Sequence, residues 1–327
     1  MKDIKVEKKG RGSNRPVSNW LAVAASFLLT ALAIYLLSMF VDFSRVRAGL
    51  LSADPVYVAE AIAIGIVVAL MGLSHKWWII LRRVAPDIKY PEILFLFVSS
   101  SPLGILMPFK TSNLVPALYL RKRYGIPVSL VLGTIMFDKI TTLMGLVAAS
   151  TIGALLSNRI PLWIVFSAWA GAVLLLLPGV MRSLFRITGI LKTRWRDLAE
   201  LFLDRFDNAS WREKLFLVSY GFILQICLSF ALLLVMKSVG VDIPLIEGVF
   251  LGTAVILVAN LPLTIGGIGT REGMVILVFG DMAARESLVA GSLLFLSLEL
   301  ISQVIIGILF MPIMFKRLMS KDYERKL

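Results

Sequence analysis

The chain has 327 residues, 58% of them hydrophobic and only 17% charged, whereas an ordinary soluble domain is roughly 45–50% apolar and about 25% charged. A soluble globular protein is excluded: the apolar residues recur in blocks of about 18 or more, long enough to cross a hydrocarbon core of about 30 Å, which makes this a polytopic membrane protein. The formal charge of +13 does not point to nucleic acid, because the charges lie between the apolar blocks; a lone Cys227 rules out an intrachain disulfide, and a lone His75 rules out a metal site built on several imidazoles.

Residues 1–19 form a basic tail, and the run Trp20–Phe40 after it is too long for a signal-peptide core and lacks a small-residue cleavage site, so it reads as a retained first helix. Val56–Ser74 is a second span. Pro91–Leu120 is apolar but interrupted by Pro102, Gly104, Pro108 and Pro116. Proline removes a backbone donor and glycine weakens helix, so two half-helices about an irregular turn are expected there. Ser129–Leu156 and Pro161–Pro178 are full spans. In the basic connector 179–214, Leu184, Phe185, Trp195, Leu198 and Phe206 are interleaved with Arg and Lys. That pattern suits an interfacial helix pair on anionic headgroups and an ordinary cytoplasmic connector equally. Leu215–Met236 spans again, Ile243–Gly280 is broken by Pro262, Gly266, Gly267, Gly269 and Gly273, and Arg285–Met314 is the sixth full span.

Charge bias gives the orientation. With the N-terminus in the cytoplasm, the inside segments carry 27 Lys and Arg and the outside segments 5, as the positive-inside rule requires. The count works only if each broken stretch enters and leaves on one side, the first (91–120) from inside and the second (243–280) from outside. The expected fold is an all-α polytopic membrane protein, residues 20–327 forming one transmembrane domain. It has six full spans and two re-entrant broken-helix hairpins arranged as an inverted repeat, 56–156 against 215–314, as in many secondary transporters. The inner (cytoplasmic) membrane with both termini in the cytoplasm is the expected location. Trp20, Trp77, Trp78 and Trp163 fall near span ends, where an aromatic belt would sit.

An ionisable group at a helix centre costs about 2.5–3.5 kcal/mol on insertion scales, so those retained mark a cavity or a partner. Asp138 and Lys139 lie inside the third full span. Adjacent helical residues point apart, so each is expected to find another partner, in a polar pathway or in a packing ion pair. Glu299, with Gln303 one turn on, suits either interhelical hydrogen bonding or a site. Glu60 and Glu247 lie close enough to span ends to reach water, and His75, beside Lys76 and Trp77, reads as an interface residue.

The most specific local signal is Pro262 through Gly273, PLTIGGIGTREG. Three glycines in four positions let backbone amides turn inward, and Thr270-Arg271-Glu272 then opens a half-helix whose N-terminal dipole favours an anion. Arg271 adds a planar fork suited to phosphate. The plainer alternative is a tight turn with Arg271 and Glu272 paired locally. No strand precedes the glycines, so this is no nucleotide fingerprint.

This run resembles the signature of the transmembrane region of lysylphosphatidylglycerol synthase/flippase proteins and their stand-alone flippase-like relatives. Lys76-Trp77-Trp78, Pro108-Phe109-Lys110, Arg121 to Ile126 and Asp138-Lys139 extend the resemblance over most of the chain, although Ser112-Asn113 and Pro116 stand where the family usually shows a Gly-Glu pair and then an arginine. The resemblance implies a lipid-translocating membrane protein, and a chain ending at Leu327 is expected to correspond to the stand-alone members. The leading expectation is a transporter, not an enzyme, that moves a lipid or lipid-linked molecule with an anionic or zwitterionic headgroup. Its expected binding residues are Lys110, Asp138, Lys139, Gly266, Gly267, Gly269, Thr270, Arg271, Glu272 and Glu299. The alternatives are a membrane-embedded transferase acting on a lipid-linked phosphate, with Asp138, Glu272 or Glu299 as base, and a regulatory subunit. No cofactor, metal or nucleic acid is expected; membrane lipids are the expected partners, and homo-oligomerisation is left open.

Overall fold

The computed structural model describes residues 41–106, 114–157, 159–160, 162–176, 209–261 and 264–319, preceded by Leu28, Leu32, Tyr35 and Met39. Among these residues the fold is helical without strands: α1 (Phe43–Leu51), α2 (Pro55–Leu81), α3 (Tyr90–Leu106), α4 (Leu114–Tyr124), α5 (Val128–Ser157), α6 (Leu162–Leu176), α7 (Trp211–Ser238), α8 (Leu245–Asn260), α9 (Thr270–Phe279) and α10 (Arg285–Met319). By length and composition α2, α5, α7 and α10 are able to cross a membrane, so the chain is a helical membrane protein. Within the expected span Pro161–Pro178 the described residues form α6, Leu162–Leu176. Trp20–Phe40 beyond its four described positions, most of the connector 179–214, and the first turn with Lys110 lie outside the described residues.

Two expectations need correction. First, α2 does not stop at Ser74: it runs on to Leu81 through a π-helical segment, Val68–Leu73. Tyr90 Oη donates to Leu70 O at 2.9 Å inside that wide turn, and such bulges recur at functional sites. The extension carries Lys76 and Trp77 into the protein, where both are buried, so Trp77 is no belt residue; its indole donates to Thr134 Oγ1. Second, Pro102 does not break α3. The carbonyl its missing N–H would have served, Val98 O, accepts Ser101 Oγ at 2.8 Å, and the ring packs against Gly307 of α10, where a Cβ would stand 2.3 Å from Pro102 Cδ. Pro116 sits in the first turn of α4, where no intrahelical donor is needed.

Each half of the chain holds a helical hairpin latched at its mouth by an arginine. In the first, α3 and α4 return to one end because Arg123, at the end of α4, lies 3.1 Å from Glu92 at the start of α3, and Tyr119 Oη donates to the same carboxylate at 2.7 Å. In the second, Arg159 holds Glu247 at the start of α8 at 2.9 Å and also Asp281, just past α9. The hydrogen bond from Arg159 holds the Asp281 carboxyl below the usual carboxylate range, so this latch stays ionised through neutral pH.

The two mouths face opposite ways. Asp281 adjoins the start of α10, whereas Lys122 Nζ donates to Leu318 O at its end, and the 35 residues of α10 rise about 52 Å between them. Near their tips both hairpins lean on the middle of the same helix: Ser101 Oγ donates to Gln303 O at 3.1 Å, and Arg271 reaches Glu299. Apolar cores fill the two ends, one around Phe279 and Met236 that draws mainly on α7 to α10 with Val46 of α1 and Ala154 of α5, the other around Leu96 and Leu120 that draws on α2 to α5 with Met314 of α10.

Candidate functional site

The glycine turn forms as its residues demand. Gly266, Gly267 and Gly269 have φ of 64°, 77° and 86°, the left-handed region that side chains with a Cβ resist. Thr270 Oγ1 donates to Gly267 O at 3.0 Å and lies 3.1 Å from Thr264 Oγ1, which ties the turn shut. α9 opens at Thr270 as expected, but its N-terminus already holds an anion: Glu272 accepts Gly269 N–H at 2.6 Å on one oxygen and Ser292 Oγ of α10 at 2.8 Å on the other. Glu272 is therefore the cap of its own helix and the peg that fixes α9 to α10.

Arg271 does not pair with Glu272. Its Nη2 lies 3.1 Å from Glu299 Oε2 and its Cζ is 5.4 Å from the Phe295 ring centroid, one turn earlier on α10. The side chain is 10% exposed against 45% for Glu299, and Nη1 is buried with no protein hydrogen-bond acceptor among the described residues. A buried guanidinium with an open N–H face leaves part of its desolvation cost unmet. That face is complementary to a phosphate oxygen, and the half-exposed Glu299 carboxylate is complementary to an ammonium.

Asp138 and Lys139 belong to a separate cluster, with no hydrogen bond or ion pair joining it to Arg271 among the described residues. Asp138 is buried on α5 with Lys76 Nζ of α2 3.3 Å from Oδ1. The Lys76 ammonium also donates to Asp138 O at 3.1 Å, Thr141 Oγ1 at 2.9 Å and Thr142 Oγ1 at 2.6 Å. Gly221 lets α7 approach α5 closely at this point: a Cβ there would stand 3.1 Å from Thr142 Cα and 3.4 Å from Lys76 Nζ. Lys139 Nζ comes within 3.8 Å of the other Asp138 oxygen, so the neighbours do share a loose contact that helical geometry had argued against. One carboxylate between two ammoniums leaves this cluster one positive charge, with Lys139 carrying the exposed end.

Of the expected site residues, then, the structure brings Arg271 and Glu299 together, gives Gly266, Gly267, Gly269, Thr270 and Glu272 to the turn that presents Arg271, and sets Asp138 and Lys139 elsewhere. Sequence reasoning missed Lys76, Ser292 and Phe295. Lys76 was open to detection as a cation only two residues past an apolar block; Ser292 and Phe295 carry no comparable signal.

The turn makes a sharp prediction. A Cβ on Gly267 would lie 3.0 Å from Ala259 O, whereas Gly266 has open space around it. Gly267→Val is expected to destabilise the protein by about 2 kcal/mol or more, combining left-handed strain with a clash, while Gly266→Asn, a residue that tolerates positive φ, is expected to change little. Thermal melting of both variants in detergent checks this; equal melting temperatures would mean the turn is loose.

These features define a helical integral membrane protein in which two helical hairpins meet one long helix, the second of them through the Arg271–Glu299 pair. Residues 20–307 match the family described as the lysylphosphatidylglycerol synthase TM region, and the chain belongs to that family. It is accordingly a membrane protein related to lipid modification or flipping. No curated protein matches it.

Proposed function

We propose that this protein is a flippase-like transporter that moves a lipid or lipid-linked molecule with an anionic or zwitterionic headgroup across the inner membrane, the headgroup binding between Arg271 and Glu299. The observation that carries the reading is the nine-tenths buried Arg271, whose Nη1 finds no acceptor among the described residues. Glu299 keeps the guanidinium from being an isolated buried charge. A phosphate arriving at Nη1 takes over that role, and Glu299 is then free to hold an ammonium or turn to water.

The hairpins opening toward opposite ends support an inverted repeat of two re-entrant hairpins, the architecture in which broken helices meet at a midplane site and alternating access becomes possible. The charge bias supports cytoplasmic termini. A transferase is less well served: of the three carboxylates expected as bases, Asp138 is paired with Lys76, both oxygens of Glu272 are engaged and Glu299 is paired with Arg271.

Liposomes reconstituted with the full chain and headgroup-labelled phospholipids test the reading. Headgroups are expected to exchange leaflets without chemical change; a new lipid product would establish the transferase, and neither result would leave a regulatory subunit.

A further inference from the structure

The two hairpin latches differ in where the cation comes from. In the first, Glu92 of α3 is held by Arg123 and Tyr119 of α4, limb to limb. In the second, the cation belongs to neither limb. Arg159 lies in the short connection from α5 to α6, where its backbone N–H donates to Ser157 Oγ at 3.3 Å. Its guanidinium takes Glu247 in the first turn of α8, Asp281 just past α9 and, at 3.4 Å, Val278 O in the last turn of α9. One side chain thus fastens both limbs to the end of α5 that the charge bias places outside.

Below this clasp the hairpin meets α5 through uncharged contacts. Gly153 packs so closely on α8 that a Cβ would stand 2.7 Å from the Phe250 carbonyl carbon, and Ser150 Oγ lies 3.2 Å from Thr253 Oγ1. Among the described residues no other ion pair joins the hairpin to α5 or α6. The clasp is also open to water: Arg159 is 25% exposed and Asp281 66%, against 10% for Arg271. Water therefore replaces its contacts when it opens, and ion pairs so exposed are individually weak. Charge favours opening once the guanidinium leaves, because Glu247 and Asp281, both within its reach, are then two like charges at one mouth. Arg271 lies ten residues before Asp281, about 15 Å down the axis of α9.

We infer that Arg159 is the outer gate of the Arg271 site: the second hairpin opens that site to the outer face only when Arg159 releases Glu247 and Asp281. The inference rests on the proposed reading of Arg271 as a headgroup site reached from both faces. It gives the acidic pair two opposite effects, closing the mouth while Arg159 is between them and holding it open when Arg159 is gone.

A cysteine beside Arg271 reports the gate without any transport. In a Cys227→Ser background, Phe295→Cys places a thiol on α10 next to the Arg271 guanidinium, and a membrane-impermeant methanethiosulfonate is added from outside to right-side-out vesicles holding the full chain. Adding Arg159→Gln is expected to raise the labelling rate several-fold. Arg159→Lys, which keeps the charge without the fork, is expected to raise it less, as is Glu247→Gln with Asp281→Asn, which removes the clasp and the repulsion together. Salt screens exposed pairs, so it is expected to speed labelling where Arg159 is intact but not in Arg159→Gln. Ser238→Cys, buried at the same end on α7 beside the start of α2, is the control. Melting curves establish that each variant is folded. An unchanged Phe295→Cys labelling rate in Arg159→Gln, or a parallel rise at Ser238→Cys showing general loosening, would overturn the gate. Headgroup exchange in liposomes is read alongside. Labelling that follows Arg159 in a protein that exchanges no headgroup would remove the transport reading and leave the gate standing, whereas exchange with labelling indifferent to Arg159 would remove the gate alone.

Discussion

Lys76→Met is expected to destabilise the protein by about 3–5 kcal/mol, the loss typical of leaving one member of a buried ion pair alone. Lys76 is fully buried, and its removal leaves the Asp138 carboxylate at the α2–α5–α7 junction with only the loose contact of the half-exposed Lys139 as counter-charge. The size of that loss is not the worth of the pair. Lys76→Met combined with Asp138→Leu is expected to recover most of it, since an apolar pair of similar volume is often as stable as a buried ion pair. Thr141 and Thr142 donate to Phe137 O and Asp138 O of their own helix, so they keep acceptors when the ammonium is gone. Chemical or thermal unfolding of the two singles and the double closes the cycle. Transport by the double variant then decides the role of the cluster: wild-type rates make it packing, while continued inactivity in a stable protein places it on the path of the headgroup.

The second large effect is expected at Arg271, and the structure changes which partner tests it. If the proposed headgroup transport holds, Arg271→Gln should lower it by about 10- to 100-fold, the equivalent of one charge-assisted hydrogen bond at about 1.5–3 kcal/mol. Arg271→Lys should recover only part, because a point charge replaces a planar fork. The informative double variant joins Arg271→Gln to Glu299→Gln. If the two residues exist to neutralise each other, the double should transport better than either single; if Arg271 binds the headgroup, the double should be as poor as Arg271→Gln. Glu299→Gln alone should flatten any pH dependence of transport if that carboxylate carries a proton, and an unchanged profile removes it from the coupling.

How far the sequence could reach depended on whether the relevant interaction was local. The glycine turn and the start of α9 at Thr270 were legible, since three glycines and a Thr-Arg-Glu opening leave the backbone few choices. Membership of a membrane helix was legible for α5, α7 and α10 from apolar length alone. Partners were not. Lys76 and Asp138 are 62 residues apart and Arg271 and Glu299 are 28 apart, and periodicity assigns a residue to a face without saying what faces it. The two corrections share a physical cause: the expected span ends at Ser74, short of Lys76, and Pro102 counts among the expected breaks of 91–120, because each residue is costly in isolation, and each cost is met by a distant or unforeseen group. Lys76 finds Asp138 and two threonine hydroxyls. The carbonyl orphaned by Pro102 finds Ser101, its own neighbour, a serine whose hydroxyl reads in sequence as merely polar.

Both hairpins rest near their tips on the stretch of α10 from Glu299 to Gly307, and Gly307 meets Pro102 so closely that even a methyl group has no room there. One helix therefore carries contacts of both hairpins, so a substitution in this seam of α10 is expected to be felt at Arg271 and at Pro102 together, and any preference of a ligand for one arrangement of the seam is linked reciprocally to the contacts of the other hairpin.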